Sequence, residues 1–452
     1  MPALPLGTGE THRKLGKLPR LHQRNVLLEK DPSNGVDNLV WLQRPGLSPI
    51  VSIGDGPING VWQQAGTFNG DALVVSGATL ARLAESGAAT TLGTIGPTRV
   101  QVAASATRAI IVSGTAAYST DGVTVTTVAM PDGSAVGSVA YLDGYFFLSV
   151  AGGQRVYFIE PGEIAPDGLA FFEAERKPDP IVTLGVLGDE LWLIGSQSEE
   201  VWAPSGDPDA PVQRLSARAY QNGCANRDTL VDLNGILAWV SSDFEVIVSR
   251  GAPEAVSNPA IVEHLREADA TTMRAWTYAL DGHLLYVLTT DSDTLVYDFS
   301  TRLWSRFSSE DSEVWRAHLG AGLLAGDSQS GAVWRLDPQR SNDDGLTFAR
   351  ELSGGVEIVG VPERCNSVAM RAAVGRAPVG VSPIVEMCWS DDEGVTWSAW
   401  RPRSLGLTGQ FRTPLVWRKL GMMKRPGRLF RFRMTDDAIF RLSHVTYNEA
   451  FG

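Results

Sequence analysis

At 452 residues, 43% hydrophobic and 20% charged, with 47 glycines and 25 prolines, the chain has the balance of a turn-rich globular protein, which excludes extensive disorder. Its longest apolar runs are strand-sized, which excludes a membrane-spanning helix of roughly 20 residues. A net charge of −12 excludes a bulk nucleic-acid binder, which would be basic overall.

The first segment, residues 1–48, is rich in Pro, Gly, Lys and Arg and lacks a core pattern, so it is expected to be an arm that orders only against a partner or its own neighbouring domain. Deleting residues 1–24 is then expected to leave the propeller domain that follows folded but to impair docking into particles. "MPALPLGTGETHRKLGKLPRLHQR" also lacks the apolar stretch of a signal peptide, and the protein is expected to be used without secretion.

From residue 49 to 345 a repeat dominates: a turn on Gly or Asp, an apolar strand, a polar turn, and a second strand. Clear copies are "LDGYFFLSVAGGQRVYFIEPG" from Leu142, "LGDELWLIGSQSEEVWAPSG" from Leu187 and "LNGILAWVSSDFEVIVSRG" from Leu233. Units begin at residues 69, 106, 142, 187, 233, 280 and 319, a period of about 40. Two visible central strands per unit, with no long amphipathic helix between units, predict an all-β fold: a β-propeller of about seven four-stranded blades. One stretch interrupts it. Asn258 as N-cap and Pro259 at the first helical position predict a short helix to about Ala268, with Ile261, Leu265 and Ala268 on one face. It reads as a packed decoration of the ring, or alternatively as a rim element that touches a partner.

From 346 to 452 the repeat gives way to "SVAMRAAVG", "PIVEMCWSDD" and "RLFRFRMTDDAIFRLSHVTY", which alternate like half-buried strands and predict an antiparallel β-sandwich or barrel. This domain carries "SDDEGVTW", an Asp-box: Ser390, Asp392, Gly394, Thr396 and Trp397 are the residues of a hydrogen-bonded hairpin turn. The box is common in glycan hydrolases, but those carry several copies together with arginines and catalytic carboxylates. A single copy outside the propeller reads as a turn. The same domain is locally basic. From Ser398 to Met434 there is no acidic residue and ten basic ones, so the remainder of the chain carries −22. Arg418, Lys419, Lys424, Arg425, Arg428, Arg431 and Arg433 are the candidate contacts to a partner or to DNA phosphate. In "RLFRFRM", Phe430 and Phe432 are expected on one face of a strand and Arg431 and Arg433 on the other, where acidic neighbours could equally pair with them.

Other chemistry has no support in the spacing. The six histidines form no metal pattern, and Cys224, Cys365 and Cys388 read as isolated thiols. "GDGPING" lacks the P-loop lysine, and no G-x-S-x-G occurs. No catalytic, cofactor-binding or metal residue is expected.

"SNPAIVEHLRE" followed by "AWTYALDGHLLYVLTTDSDTLVYDFSTRLWSRF" resembles the signature stretch of the packaged-DNA stabilisation proteins of short-tailed phages, the tail hub or nozzle. The matching positions are Ile261, Glu263, Tyr278, Gly282, His283, Tyr286, Val296, Tyr297, Asp298, Thr301 and Trp304. "WLQRPGLSPI" and "LVWRKLGMMKRPGRLFRFRM" are similar to that family as well. Leu284, Leu285, Ser305 and Arg306 depart from its aromatic positions. The resemblance implies a non-enzymatic virion protein of the tail, assembled in the host cytoplasm as a homo-oligomeric ring, a hexamer, below portal and adaptor. It implies a continued DNA exit channel, retention of packaged double-stranded DNA without sequence specificity, and attachment of tail fibres or spikes and a needle or plug. The alternative is a propeller glycan hydrolase or lectin-like protein.

Overall fold

The computed structural model describes residues 4–7, 11–12, 20–30, 39–174, 177–233 and 235–448. Seven antiparallel blades follow one another. The first six are built from four strands each in chain order, with inner strands Ile58–Trp62, Val100–Ala104, Val136–Leu142, Ile181–Leu187, Val231–Asp232 and Arg274–Leu280. The seventh has three strands in order, Ala317–Ala321, Leu324–Asp327 and Ala332–Asp337, and takes its fourth, Gly46–Ser52, from far upstream. Each inner strand adjoins the next, and that of the seventh blade adjoins that of the first, so the ring is closed.

The repeat is visible because of where its strands sit. Second and third strands are enclosed between neighbouring blades: Ala72–Ser76, Ala109–Ser113, Leu237–Val240 and Thr294–Asp298 are buried at every position. They must therefore be almost continuously apolar. Outer strands such as Ala89–Thr94 and Val125–Thr127 are largely exposed and leave little pattern. Seven hydrophobic clusters fill the seven gaps between blades. The gap between blades five and six also takes the predicted helix, Pro259–Glu267, through buried Ile261 and Leu265. Asn258 caps it by accepting hydrogen bonds from the Ala260 and Ile261 amides at 3.0 and 3.1 Å. The helix is thus a packed decoration, the first of its two readings. Asn258→Ala should cost about 1 kcal/mol of stability, measurable as a lower urea midpoint with an unchanged m value.

The C-terminal domain is a sandwich of two sheets. One contains Arg350–Glu357, Gly427–Met434, Ile384–Ser390 and Arg401–Ser404. The other contains Val26–Lys30, Leu39–Gln43, Arg441–Tyr447, Ser367–Ala372 and Leu415–Arg418. Val26, Trp41, Met370, Trp417, Phe430, Phe432 and Leu442 meet between them.

The segment expected to order only against a partner or its own ring is, in its described residues, a strap ordered against both of the chain's own domains, and the boundary at 48/49 falls inside a strand. Val26–Lys30 and Leu39–Gln43 belong to the sandwich, and Gly46–Ser52 belongs to the propeller. Gln23–Arg24 pairs with Leu303–Phe307 of blade six on one side and Arg350–Glu357 on the other, so one sheet runs from propeller into sandwich. These strands lack a core pattern because each is two to seven residues long and, apart from the Val26–Lys30 and Leu39–Gln43 pair, each completes a sheet with strands from distant parts of the chain. Gly46 is required where the strap enters blade seven. A Cβ there would sit 2.4 Å from the Asn342 carbonyl oxygen.

Candidate functional site

The Asp-box is a closed hydrogen-bond unit at the end of the strand Ile384–Ser390. The Ser390 hydroxyl donates to Asp392 at 2.7 Å and accepts the Gly394 amide at 2.8 Å. Asp392 accepts both the amide (2.8 Å) and the hydroxyl of Thr396, and Trp397 Nε1 donates to the Gly394 carbonyl at 3.0 Å. Gly394 adopts φ +91°, the left-handed conformation the turn needs. The Thr396 side chain and amide, with Ser390, hold the Asp392 carboxyl down at about 2. Such a carboxylate is a poor proton donor at neutral pH, and its oxygens are already engaged in the turn. Asp392→Ala should loosen the hairpin, seen as faster amide exchange over 390–398, without abolishing any binding function. An all-or-none functional loss in a normally folded variant would contradict the turn role.

The basic residues divide into three groups. Arg428 is buried and therefore leaves the set of candidate surface contacts. It forms a bidentate pair with Asp391 at 2.6 and 2.8 Å and donates to the Leu420 and Met422 carbonyls, tying the turn at 391 to the connection at 420–422. It lies on the core side because its strand alternates, with Arg428, Phe430, Phe432 and Met434 facing in. Arg431 and Arg433 face the other way, as the alternation predicts. Arg433 pairs with Glu386 at 2.7 Å and stacks on Trp400, while Arg431 stacks on Trp397. In register, Arg24, Glu351, Arg433 and Glu386 make a row of alternating charge across four strands. Acidic neighbours thus answer Arg433, and Trp397 covers Arg431, so this face of the sheet is a weak candidate for phosphate. Arg418, Lys419, Lys424 and Arg425 form the third group. All four are exposed, at the ends of Leu415–Arg418 and of Gly427–Met434, near exposed Val359, Val361 and Met422. They are the candidate contact surface that remains.

The propeller axis holds a cluster that the sequence did not indicate. Arg99, before the inner strand of blade two, donates to the Ala275 carbonyl of blade six at 2.8 Å. Arg227, before that of blade five, reaches Gly114 of blade two at 3.0 Å and Gly137 of blade three at 2.5 Å. Gln101 links Ser138 and Thr183 of blades three and four. These side chains cross the axis where the inner strands begin and close the channel there. Towards the other end lies a cavity of about 500 Å³ lined by Trp62, Gln63, Gln101, Tyr141, Val186 and Asp232. The Asp232 carboxyl is pushed up to about 6 by burial. The arginines escaped notice because they stand singly in the sequence and come from connections more than 120 residues apart; no local pattern could have marked them.

The signature stretch is a packing unit of blade six. Asp298 accepts from the His283 ring at 2.7 Å, the Thr301 hydroxyl at 2.9 Å and the Ser300 amide at 2.8 Å, fixing the turn before Trp304. Tyr286 donates to the Thr229 carbonyl of blade five, and Trp304 Nε1 to that of Val256. The three cysteines are buried, and burial raises each thiol, Cys224 to about 12 and Cys365 and Cys388 to about 11.

A closed ring of sheets, an attached sandwich, and charged residues that mostly bond inward define a rigid scaffold that works through its surfaces. The chain belongs to the family of bacteriophage P22 Gp10. The β-propeller model of that family matches residues 4–341 and its β-sandwich model matches residues 361–448. This is a structural protein of a phage tail. No curated protein sequence matches the chain. Among solved structures it is similar to BBS1N in complex with ARL6DN (11% identity, 64% of this chain and 96% of that one, TM-score 0.42). It is also similar to the extracellular domain of a hybrid two-component system from B. thetaiotaomicron (9%, 85% and 56%, TM-score 0.43). A third is an exo-β-1,3-galactanase from Phanerochaete chrysosporium (9%, 77% and 95%, TM-score 0.31).

Proposed function

We propose that the protein is the hub, or nozzle, of a short-tailed phage tail: several copies form a ring, a hexamer, below portal and adaptor, and the DNA exit channel continues through the lumen between them. The plugged propeller axis carries this reading. Arg99 and Arg227 bridge opposite blades and Gln101 links blades two, three and four, so a single chain offers no passage for a duplex whose major groove alone is about 12 Å wide. A conduit must therefore lie between chains. The acidic bulk supports the same reading, because a lumen walled by negative charge repels phosphate and lets DNA slide. In this proposal the exposed Arg418, Lys419, Lys424 and Arg425 meet an acidic surface of a neighbouring subunit or adaptor. Retention of packaged DNA and attachment of fibres, spikes or a needle belong to the ends of the assembled ring.

Electron microscopy of the purified protein mixed with its portal and adaptor tests the proposal. A closed ring of this chain coaxial with the portal, with the propeller axes outside the lumen, is the expected result. Monomers that never join the portal complex, or a portal axis running through one propeller, would refute it. Turnover of sialylated or bacterial surface glycans by the purified chain would favour the glycan-hydrolase alternative instead.

A further inference from the structure

The cluster on the propeller axis has more positive charge than the described residues around it neutralise. Arg99, Arg227 and Arg274 gather around one carboxylate, Asp228, which lies 3.7 Å from Arg99 and 3.5 Å from Arg227. Each arginine comes from a different blade junction. Arg99 Nη1 and Arg274 Nε are shut away from solvent and meet no acceptor among the described residues. Burial lowers the Arg99 guanidinium to about 10, with Arg274 and Arg227 adding to the effect, and burial lowers Arg274 as well. His318 beside them is driven well below its usual range, first by burial and then by Arg274 and Arg99. It is therefore neutral, and its Nε2 donates to the Ile58 carbonyl at 2.8 Å.

Arginine does not shed its proton at any working pH, so the site holds three cations against one anion. Unpaired buried donors on charged groups are costly, and a guanidinium fork is shaped for oxyanions. The geometry points to a small inorganic oxyanion, phosphate or sulfate, bound on the propeller axis between Arg99, Arg227 and Arg274. Such an ion would tie the junction of Arg99 to the adjacent junctions of Arg227 and Arg274 across the ring and would stiffen it. The assignment is independent of the hub proposal, since it concerns the interior of one chain.

The test is calorimetric titration of the full-length protein with inorganic phosphate and with sulfate, together with melting temperatures at ionic strength matched with sodium chloride. Saturable binding of one or both oxyanions is expected, with a melting temperature that rises as the site fills. Arg274→Met should abolish the saturable part. It should melt no lower than the wild type in chloride alone, because Asp228 keeps Arg99 and Arg227 beside it and the lost guanidinium repels Arg99. Should that variant fail to fold, Arg99→Lys keeps the charge but loses the fork, and should bind about tenfold more weakly or worse. Absence of saturable binding, an equal rise in wild type and variant, or equal saturation by chloride would overturn the assignment.

Discussion

Arg44→Met should lower stability by about 3–5 kcal/mol, the range for removing one partner of a buried ion pair. Arg44 is fully buried at the junction of strap, propeller and sandwich. Its guanidinium forms a bidentate pair with Asp343 at 2.9 and 2.6 Å, and also donates to Asn25 Oδ1 at 2.8 Å and to the Ser308 carbonyl at 2.9 Å. It lies 3.7 Å over the Phe348 ring and 4.8 Å over that of Trp315. Methionine fills much of the volume but leaves the largely buried Asp343 carboxylate without its cation. The loss should appear as a markedly lower urea midpoint. Arg44→Met combined with Asp343→Leu should recover a substantial part of it, because the stranded charge is then gone. A single variant within about 1 kcal/mol of wild type would remove Arg44 from this role.

Deleting residues 1–24 should destabilise the sandwich, an effect that the expectation of a folded propeller with impaired docking did not include. Leu4 and Leu6 are buried in the sandwich core, and burying a leucine contributes about 1.5–3 kcal/mol. The Leu4 amide donates to Val445 at 2.9 Å, that of Gly7 to Ser353 at 2.7 Å, and that of Ser353 to the His22 carbonyl at 2.9 Å. The deletion also removes Gln23–Arg24, the strand that joins blade six to Arg350–Glu357. The truncated protein should melt in two steps, sandwich first, with early proteolytic cuts between residues 350 and 448. A single transition at the wild-type temperature would show that the strap contributes little.

Much of the fold was legible because blades bury their middle strands on both faces. Phe146–Leu148 and Leu191–Ile194 read as apolar runs at a fixed period, and the period gave the architecture and the blade number. The helix was legible from Asn258, Pro259 and the spacing of Ile261 and Leu265. The Asp-box was legible as a turn because all its bonds lie within eight residues. Alternation placed Phe430 and Arg431 on opposite faces, yet it also put Arg428 on the core side, and only its pair with Asp391 shows what an arginine does there.

What the sequence determined by itself is local: strand periodicity, turn chemistry, one capped helix and the imbalance of charge between the two parts of the chain. These depend on residues within a few positions of one another. Tertiary structure alone decided that the described residues among the first 52 strap two domains together, that Arg44 and Arg428 are internal, and that three solitary arginines meet on the propeller axis. Each of those facts is a contact between residues separated by tens to hundreds of positions. Ring closure brings such residues together, and neither composition nor spacing records it.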